Sequence, residues 1–204
     1  MNSRTWLSMS LVTSLSISSI LNSMPSQAVQ FPDGRVAFDH PPTLLQASTT
    51  RRTVSDSSVR YYFDLSIPEN AGEALQQVII AQRDGEGFVQ EIQYNPEDTK
   101  AFIGSHRNRG NELSLGDVVW DRDNQSITVN FDPPVPPGTD ITIRLEPERN
   151  PRRSGIYLFG VTVFPDGETP QGQFLGYGRL HFYDRGDSIF DVSGESHIRR
   201  VTPY

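Results

Sequence analysis

The four histidines of the chain are the side chains best suited to bind a metal or to transfer a proton. They are His40, His106, His181 and His197. None belongs to an HExxH motif or to a closely spaced pair, so a zinc or copper site would need the fold to bring distant histidines together. The sequence therefore predicts no metal and no other cofactor. A metal-handling module remains an alternative, and it requires two or more histidines within reach of one ion.

A cationic segment at residues 105–110 has the composition of an anion site. It contains His106, Arg107 and Arg109, and its polar composition predicts a loop. An arginine side chain offers a planar pair of donors to a carboxylate or a phosphate, so these three residues are candidates for binding. A solvated loop without a ligand is the alternative interpretation.

Aromatic side chains concentrate in the last two strong strands of the sequence. They are Tyr157, Phe159, Tyr177, Phe182 and Tyr183. Arg179 and His181 alternate with Tyr177 and Tyr183, which puts these four side chains on one face of a strand. Such rings form either a dense core or an exposed surface that stacks sugars or contacts a partner. We take these four residues and Tyr157 as candidate binding residues.

Complete catalytic motifs are missing from the sequence. It has no GxSxG elbow, no SxxK and no Gly-rich nucleotide cradle. The absence of cysteine excludes disulfides, thiolate metal sites and a thiol nucleophile. Asp121 and Asp123 are spaced like the start of a calcium loop, but the remaining ligands do not follow. The 25 acidic residues permit a carboxylate pair for glycoside cleavage, and this hydrolase alternative requires two carboxyl groups that converge in a cleft.

Charge and the N-terminal residues indicate where the protein works. The net charge of −7 repels nucleic-acid phosphates, and no dense run of Lys and Arg offsets it, so no nucleic-acid partner is expected. Residues 1–28 have one charged side chain, Arg4, then an apolar stretch, then small residues at Ser26 and Ala28, which is the pattern of a cleaved secretory signal peptide. We predict export to the periplasm or the extracellular space, with no membrane span after cleavage. An uncleaved anchor is the alternative.

The elements that position the candidate side chains are predicted to be short β-strands. Alternation with a period of two marks strands at 59–67, 126–131 and 141–145, each with one buried face and one wet face. Residues 156–164 are apolar on both faces and indicate a central strand. Residues 174–183 form a further strand, in which glycines suggest a bulge or a close approach of backbones.

Turn signals separate these strands. Residues 121–125 indicate a hairpin loop, and the prolines of 133–138 indicate a stiff, extended corner rather than a central strand. Short helical turns are expected at 96–99 and at 69–77, where Gly72 interrupts the second one.

About eight short strands with frequent turns predict an all-β domain, built as an antiparallel two-sheet sandwich with short helical turns. An Ig-like strand order is one option, and a closed barrel is the alternative architecture. We expect the domain to occupy residues 29–183, followed by a polar and loose tail at 184–204.

Four blocks of sequence resemble a cyanobacterial family of exported proteins described as a domain of unknown function. The blocks are residues 61–76, 131–139, 150–161 and 172–183. The resemblance covers about residues 29–183. It implies a Gram-negative-type envelope, hence the periplasm or beyond, and it implies no catalytic residues.

These features together favour a non-catalytic binding module of the cell envelope, with an envelope glycan or an envelope protein as its partner. A carboxylate-based hydrolase of envelope polymer and a periplasmic metal-handling module are the alternatives. The sequence leaves the oligomeric state open.

Overall fold

The structure is a computed structural model that describes residues 29–30, 34–83 and 92–186. Most of these residues lie in β-strands or in the turns between them. These residues contain twelve strands and one 3-10 turn, Pro96–Asp98. The strands are β1 (Val29–Gln30), β2 (Val36–Ala37), β3 (Thr43–Thr49), β4 (Tyr61–Ser66), β5 (Leu75–Arg83), β6 (Lys100–Ser105), β7 (Asn108–Leu113), β8 (Leu115–Asp121), β9 (Ser126–Val135), β10 (Asp140–Leu145), β11 (Gly155–Pro165) and β12 (Gln173–Phe182). The predicted all-β class is confirmed.

Two antiparallel sheets of five strands each make up the sandwich. Sheet I has the order β3-β4-β10-β6-β7, and sheet II has the order β12-β11-β5-β9-β8. β1 and β2 pair separately with each other. The predicted sandwich is therefore confirmed, and the closed barrel is wrong because the described strands form separate sheets. The outermost strands β3 and β12 face each other across one seam of the sandwich.

The facing sides of the two sheets form one apolar core. Its largest fully buried side chains include Tyr61, Phe63, Phe131, Phe159 and Phe182. The Tyr61 ring lies 6.0 Å from the Phe159 ring and 5.8 Å from the Phe182 ring, so both sheets contribute to one aromatic cluster. Burying a side chain of this size contributes about 1.5–3 kcal/mol, which stabilises a cysteine-free chain without covalent links.

Three predicted elements are present where the sequence placed them. β8 and β9 form the hairpin expected around residues 121–125. β11 lies between β12 and β5, as expected for a central strand that is apolar on both faces. The short helical turn expected at 96–99 is present as the 3-10 turn Pro96–Asp98.

β5 takes the place of part of the helical turn predicted at 69–77, and that prediction is wrong. Residues 69–70 form a turn and residues 72–73 a bend, and the strand begins at Leu75. The β-branched run from Val78 to Ile80 suits a strand, and β5 pairs with β11 on one side and with β9 on the other. Cross-strand pairing therefore decides the conformation of this segment, and its partners are distant in sequence.

β9 continues into the proline-rich segment that we expected to be a corner. The strand runs to Val135 and includes Pro133 and Pro134. Neither proline has a paired residue in β5 or β8, so the missing N–H groups interrupt no ladder.

β4 departs from the expected pattern of one buried face and one wet face. Its core-facing side is buried as predicted, but Tyr62 and Asp64 on the opposite side are buried as well. The β6–β7 hairpin covers them: the His106 ring lies 5.7 Å from the Tyr62 ring, and its Nδ1 lies 2.7 Å from Asp64 Oδ2.

The predicted leader, residues 1–28, lies outside the described residues, as does the tail from residue 187 onward with His197. Within the described ranges, no helix has the length and apolar character needed to cross a bilayer.

Candidate functional site

The outer face of β12 carries four of the candidate side chains. Tyr177, Arg179 and His181 alternate along the strand with inward-facing residues, and Tyr183 follows directly after it. All four side chains are exposed. The structure therefore brings these candidates together on one solvent-facing surface at the edge of sheet II.

Phe174 and Tyr177 form an exposed pair of rings on this face. Their centroids are 5.1 Å apart with an interplanar angle of 68°, and their exposed fractions are 53% and 50%. Gly160 of β11 lies beneath both rings, since a Cβ atom at this position would sit 3.2 Å from Phe174 and 3.5 Å from Tyr177. The rings rest against glycine backbone and leave an aromatic surface facing solvent.

A β-bulge in β12 explains why sequence reasoning missed Phe174. Residues three apart lie on opposite faces of a regular strand. In the ladder with β11, however, Val161 pairs with Gly176 while Thr162 pairs with Phe174, so one residue of β12 is skipped. The φ angle of Gly176 is 124°, a conformation that favours glycine. The glycine in the strand was the signal that could have identified this bulge.

A cleft of about 270 Å³ opens at the seam between β3 and β12. We call it the seam cleft. Its lining residues are Ala47, Ser48, Thr49, Arg52, Arg179, Leu180, His181 and Tyr183. Three of the four candidates on β12 thus share one cavity with residues from the other sheet, and two of the lining side chains are arginines. Sequence reasoning missed Arg52 and Ser48 because they come from a distant part of the chain.

Gly178 allows the two sheets to approach each other beside the seam cleft. A Cβ atom at Gly178 would lie 2.7 Å from the Ala47 Cβ and 3.1 Å from the Phe63 ring. The absence of a side chain is therefore required by packing rather than by a backbone turn. This is the close approach that the glycines of the predicted strand suggested.

Tyr157 does not belong to this exposed surface, and its selection as a binding residue is corrected. Its exposed fraction is 5%, its ring lies 5.3 Å from Phe182, and its hydroxyl donates to the carbonyl oxygen of Arg153 over 3.1 Å. Burial raises the pKa of Tyr157, opposed in part by the Arg153 charge. Because β11 is apolar on both faces, alternation could not tell which side faces the core.

The candidates of residues 105–110 lie on sheet I and do not line the seam cleft. Only positions 106 and 107 form the turn, because Asn108 already begins β7. The backbone N–H of His106 donates to Asp64 Oδ1 over 3.1 Å, and the Thr142 hydroxyl oxygen lies 2.7 Å from the same atom. A buried carboxylate needs such partners, so His106 fastens the hairpin to β4.

Arg109 is also engaged in packing. Its guanidinium lies 5.5 Å from the centre of the Tyr62 ring and 5.4 Å from that of Phe102, and it donates to the Tyr62 hydroxyl over 3.2 Å. Arg107 at the turn is exposed. Arg109 is exposed as well, and its contacts with the Tyr62 and Phe102 rings hold it against the outer side of sheet I.

Asp121 serves the β8–β9 turn. Its carboxylate accepts hydrogen bonds from the backbone N–H groups of Asp123 and Asn124 and from the Asn124 side chain, at 3.0, 3.1 and 2.6 Å. These bonds, those from Asn124 first, lower the pKa of Asp121. In the described part of the chain, no group of three or more histidine or acidic side chains is arranged to hold a metal ion.

Two carboxylates share a shallow groove near the edge of the sandwich. Glu97 and Glu112 both line this groove of about 580 Å³, together with Lys100. The Lys100 ammonium lies 3.0 Å from the Glu112 carboxylate, so Glu112 already forms a surface ion pair. A neighbouring groove is lined by Glu97 and Asp117, so both grooves are places where the carboxylate pair of the hydrolase alternative could lie.

A protein-family model matches most of the chain. The model described as protein of unknown function (DUF2808) matches residues 35–182, which include most of both sheets. The expected resemblance to an unknown-function family is confirmed to that extent. A search of curated proteins gave no match.

Solved structures resemble the chain only distantly. The collagen-binding domain from a Staphylococcus aureus adhesin is 8% identical, with 68% of this chain and 95% of that chain covered and a TM-score of 0.37. The collagen-binding subdomain ACE19 of the Enterococcus faecalis surface protein ACE is 13% identical, with 70% and 98% covered and a TM-score of 0.35. The group B streptococcus pilus 2b backbone protein is 12% identical, with 64% and 56% covered and a TM-score of 0.39. These TM-scores are too low to transfer a ligand or a function.

Proposed function

The chain belongs to the DUF2808 family, and we propose that it is an exported, non-catalytic binding module of the cell envelope that holds a glycan on the outer face of β12. The observation that carries this proposal is the exposed ring pair of Phe174 and Tyr177 beside the seam cleft. The proposed location is a Gram-negative-type envelope, as in cyanobacteria, either in the periplasm or in the extracellular space. The leader pattern of residues 1–28 and the resemblance of the four sequence blocks support it.

The exposed rings favour a ligand with apolar faces and many hydroxyls. Phe174 and Tyr177 are each about half exposed to water. Solvent-facing positions of a strand usually carry polar side chains, so two adjacent exposed rings indicate a contact surface. Aromatic rings give large contact area at low cost in side-chain entropy, and their faces suit the C–H faces of sugars. Arg179 and His181 follow on the same face and supply hydrogen-bond donors for hydroxyl groups.

Replacing Tyr177 by alanine is expected to weaken glycan binding by about 2–12-fold, because an aromatic contact of this kind contributes about 0.5–1.5 kcal/mol. The measurement is co-sedimentation of the purified protein with insoluble peptidoglycan and with exopolysaccharide. Val119→Ala is the matched control for Tyr177→Ala, because both side chains are about half exposed. Val119 lies on β8, at the other edge of sheet II.

No retention of the unaltered protein on either polymer would contradict the proposal, and so would equal losses for Tyr177→Ala and Val119→Ala. Release of soluble sugar in the same assay would instead favour a hydrolase acting at the groove of Glu97 and Glu112.

A further inference from the structure

We propose that the seam cleft is a carboxylate-binding subsite, so that the glycan held by this protein is an acidic, uronate-type polysaccharide. This inference rests on the proposed function and specifies the ligand of the same surface.

The charge of the seam cleft is opposite to that of the whole protein. Arg52, Arg179 and His181 line it, and no acidic residue does so among the described residues, while the chain carries a net charge of −7. Local positive charge in an acidic protein attracts an anionic group to this one place. A guanidinium also matches the planar geometry of a carboxylate through two parallel hydrogen bonds.

The two arginines of the seam cleft have no acidic partner in the described part of the chain. Arg60 and Arg144, by comparison, both form ion pairs with Glu146, at 2.9 and 3.0 Å. The ion pairs among the described residues include neither Arg52 nor Arg179. Both guanidinium groups are therefore available to an external anion.

One polar atom of the cleft is left without a partner. The Ser48 hydroxyl oxygen is buried and forms no hydrogen bond in the structure, although Ser48 lines the cleft. A hydroxyl can donate to a carboxylate oxygen and so satisfy its own bonding capacity. A carboxylate bound in the cleft would offer this hydroxyl an acceptor beside the two arginines.

The wall that carries Arg52 is fixed by backbone hydrogen bonds. The N–H of Tyr183 donates to the carbonyl oxygen of Arg52 over 2.8 Å, and the N–H of Val54 donates to that of Tyr183 over 3.0 Å. Thr53 and Tyr183 form a parallel bridge at the same point. The segment after β3 is thus tied to the end of β12, and the two arginines line one cavity from two segments that are hydrogen-bonded to each other.

The seam cleft lies close enough to the ring pair for one polymer to contact both. One sugar unit can occupy the cleft while the adjacent units of the same polymer stack on Phe174 and Tyr177. Tyr177 and Arg179 are two residues apart on the same face, which corresponds to about 7 Å along a strand. A cleft of about 270 Å³ is near the lower limit for pockets that hold a small ligand. A single chain can therefore stack on the ring pair while one of its carboxylates enters the cleft.

The test is calorimetric titration of the purified protein with three probes: oligogalacturonate, a neutral cello-oligosaccharide of equal length, and inorganic sulfate. We expect oligogalacturonate to bind at least tenfold more tightly than the neutral oligomer. In the variant R52Q/R179Q this binding falls at least tenfold. In R122Q/R149Q, which removes the same charge from two exposed positions that do not line the seam cleft, it changes less than twofold. Equal melting temperatures of the variants show that the fold is kept.

The outcomes separate the two proposals. Equal affinity for the neutral and the acidic oligomer, or equal losses in the two double variants, would overturn the carboxylate subsite and leave glycan binding intact. Binding of sulfate without binding of oligogalacturonate would also overturn it. Binding of no glycan at all would overturn the proposed function itself.

Discussion

Replacing Asn150 by alanine is expected to lower the free energy of unfolding by about 2–4 kcal/mol, because it removes three hydrogen bonds and leaves the buried Tyr61 hydroxyl without its acceptor. Asn150 is fully buried. Its Oδ1 accepts a hydrogen bond from the Tyr61 hydroxyl over 2.9 Å, and its Nδ2 donates to the carbonyl oxygens of Arg51 and Thr53 over 3.1 and 2.8 Å.

The carboxamide of Asn150 joins the aromatic core to the segment that follows β3. Burial raises the pKa of Tyr61 above its usual range, so its hydroxyl is neutral at neutral pH and donates to Asn150. The carbonyl groups of residues 51 and 53 flank Arg52, which lines the seam cleft. The substitution is therefore expected to loosen one wall of the cleft as well.

Urea unfolding of the unaltered protein and of Asn150→Ala measures this effect. Asn111→Ala is the control, because Asn111 is exposed on β7 and its loss should change stability by less than about 0.5 kcal/mol. A loss below about 1 kcal/mol for Asn150→Ala would contradict the role of Asn150 as a buried link between the core and the segment after β3.

Replacing Gly178 by alanine is expected to destabilise the fold by about 1–3 kcal/mol, the usual cost of adding a methyl group to a filled core. The new Cβ atom would lie 2.7 Å from the Ala47 Cβ, a separation that requires β3 and β12 to move apart. Because both strands line the seam cleft, the same substitution should weaken binding there.

The clash can be tested by removing the opposing atom. In the double variant Ala47→Gly/Gly178→Ala, the loss should be smaller than the sum of the two single losses, since the short contact is gone. Gly186→Ala is the matched control, because a Cβ atom at Gly186 meets nothing within 4 Å. Thermal melts in which Gly178→Ala matches Gly186→Ala would contradict the packing role of Gly178.

Much of the fold follows from local patterns. Alternation along β10 and the two-sided apolar run of β11 each predict a strand, and both strands are present. The predicted wet face of β10 is wrong at Thr142, which is fully buried on the outer side of sheet I. The sequence could not reveal that Asp64 is buried, since its cover comes from His106 on another hairpin. β5 was missed for the same reason, as its pairing partners are distant in sequence.

Part of the candidate site could likewise be predicted from the sequence, and part could not. Tyr177, Arg179 and His181 could be grouped from sequence because they share one face of one strand. Arg52 could not be grouped with them, because only the packing of sheet I on sheet II brings it to the cleft. Tyr157 was misplaced because neither face of β11 is polar.

The most direct test of binding at the seam is a map of backbone amide shifts in isotope-labelled protein titrated with oligogalacturonate. Our account predicts that the largest shifts fall in residues 47–52 and 177–183, on the two walls of the cleft. Shifts confined to the β6–β7 hairpin around His106, or to the groove lined by Glu97 and Glu112, would contradict it.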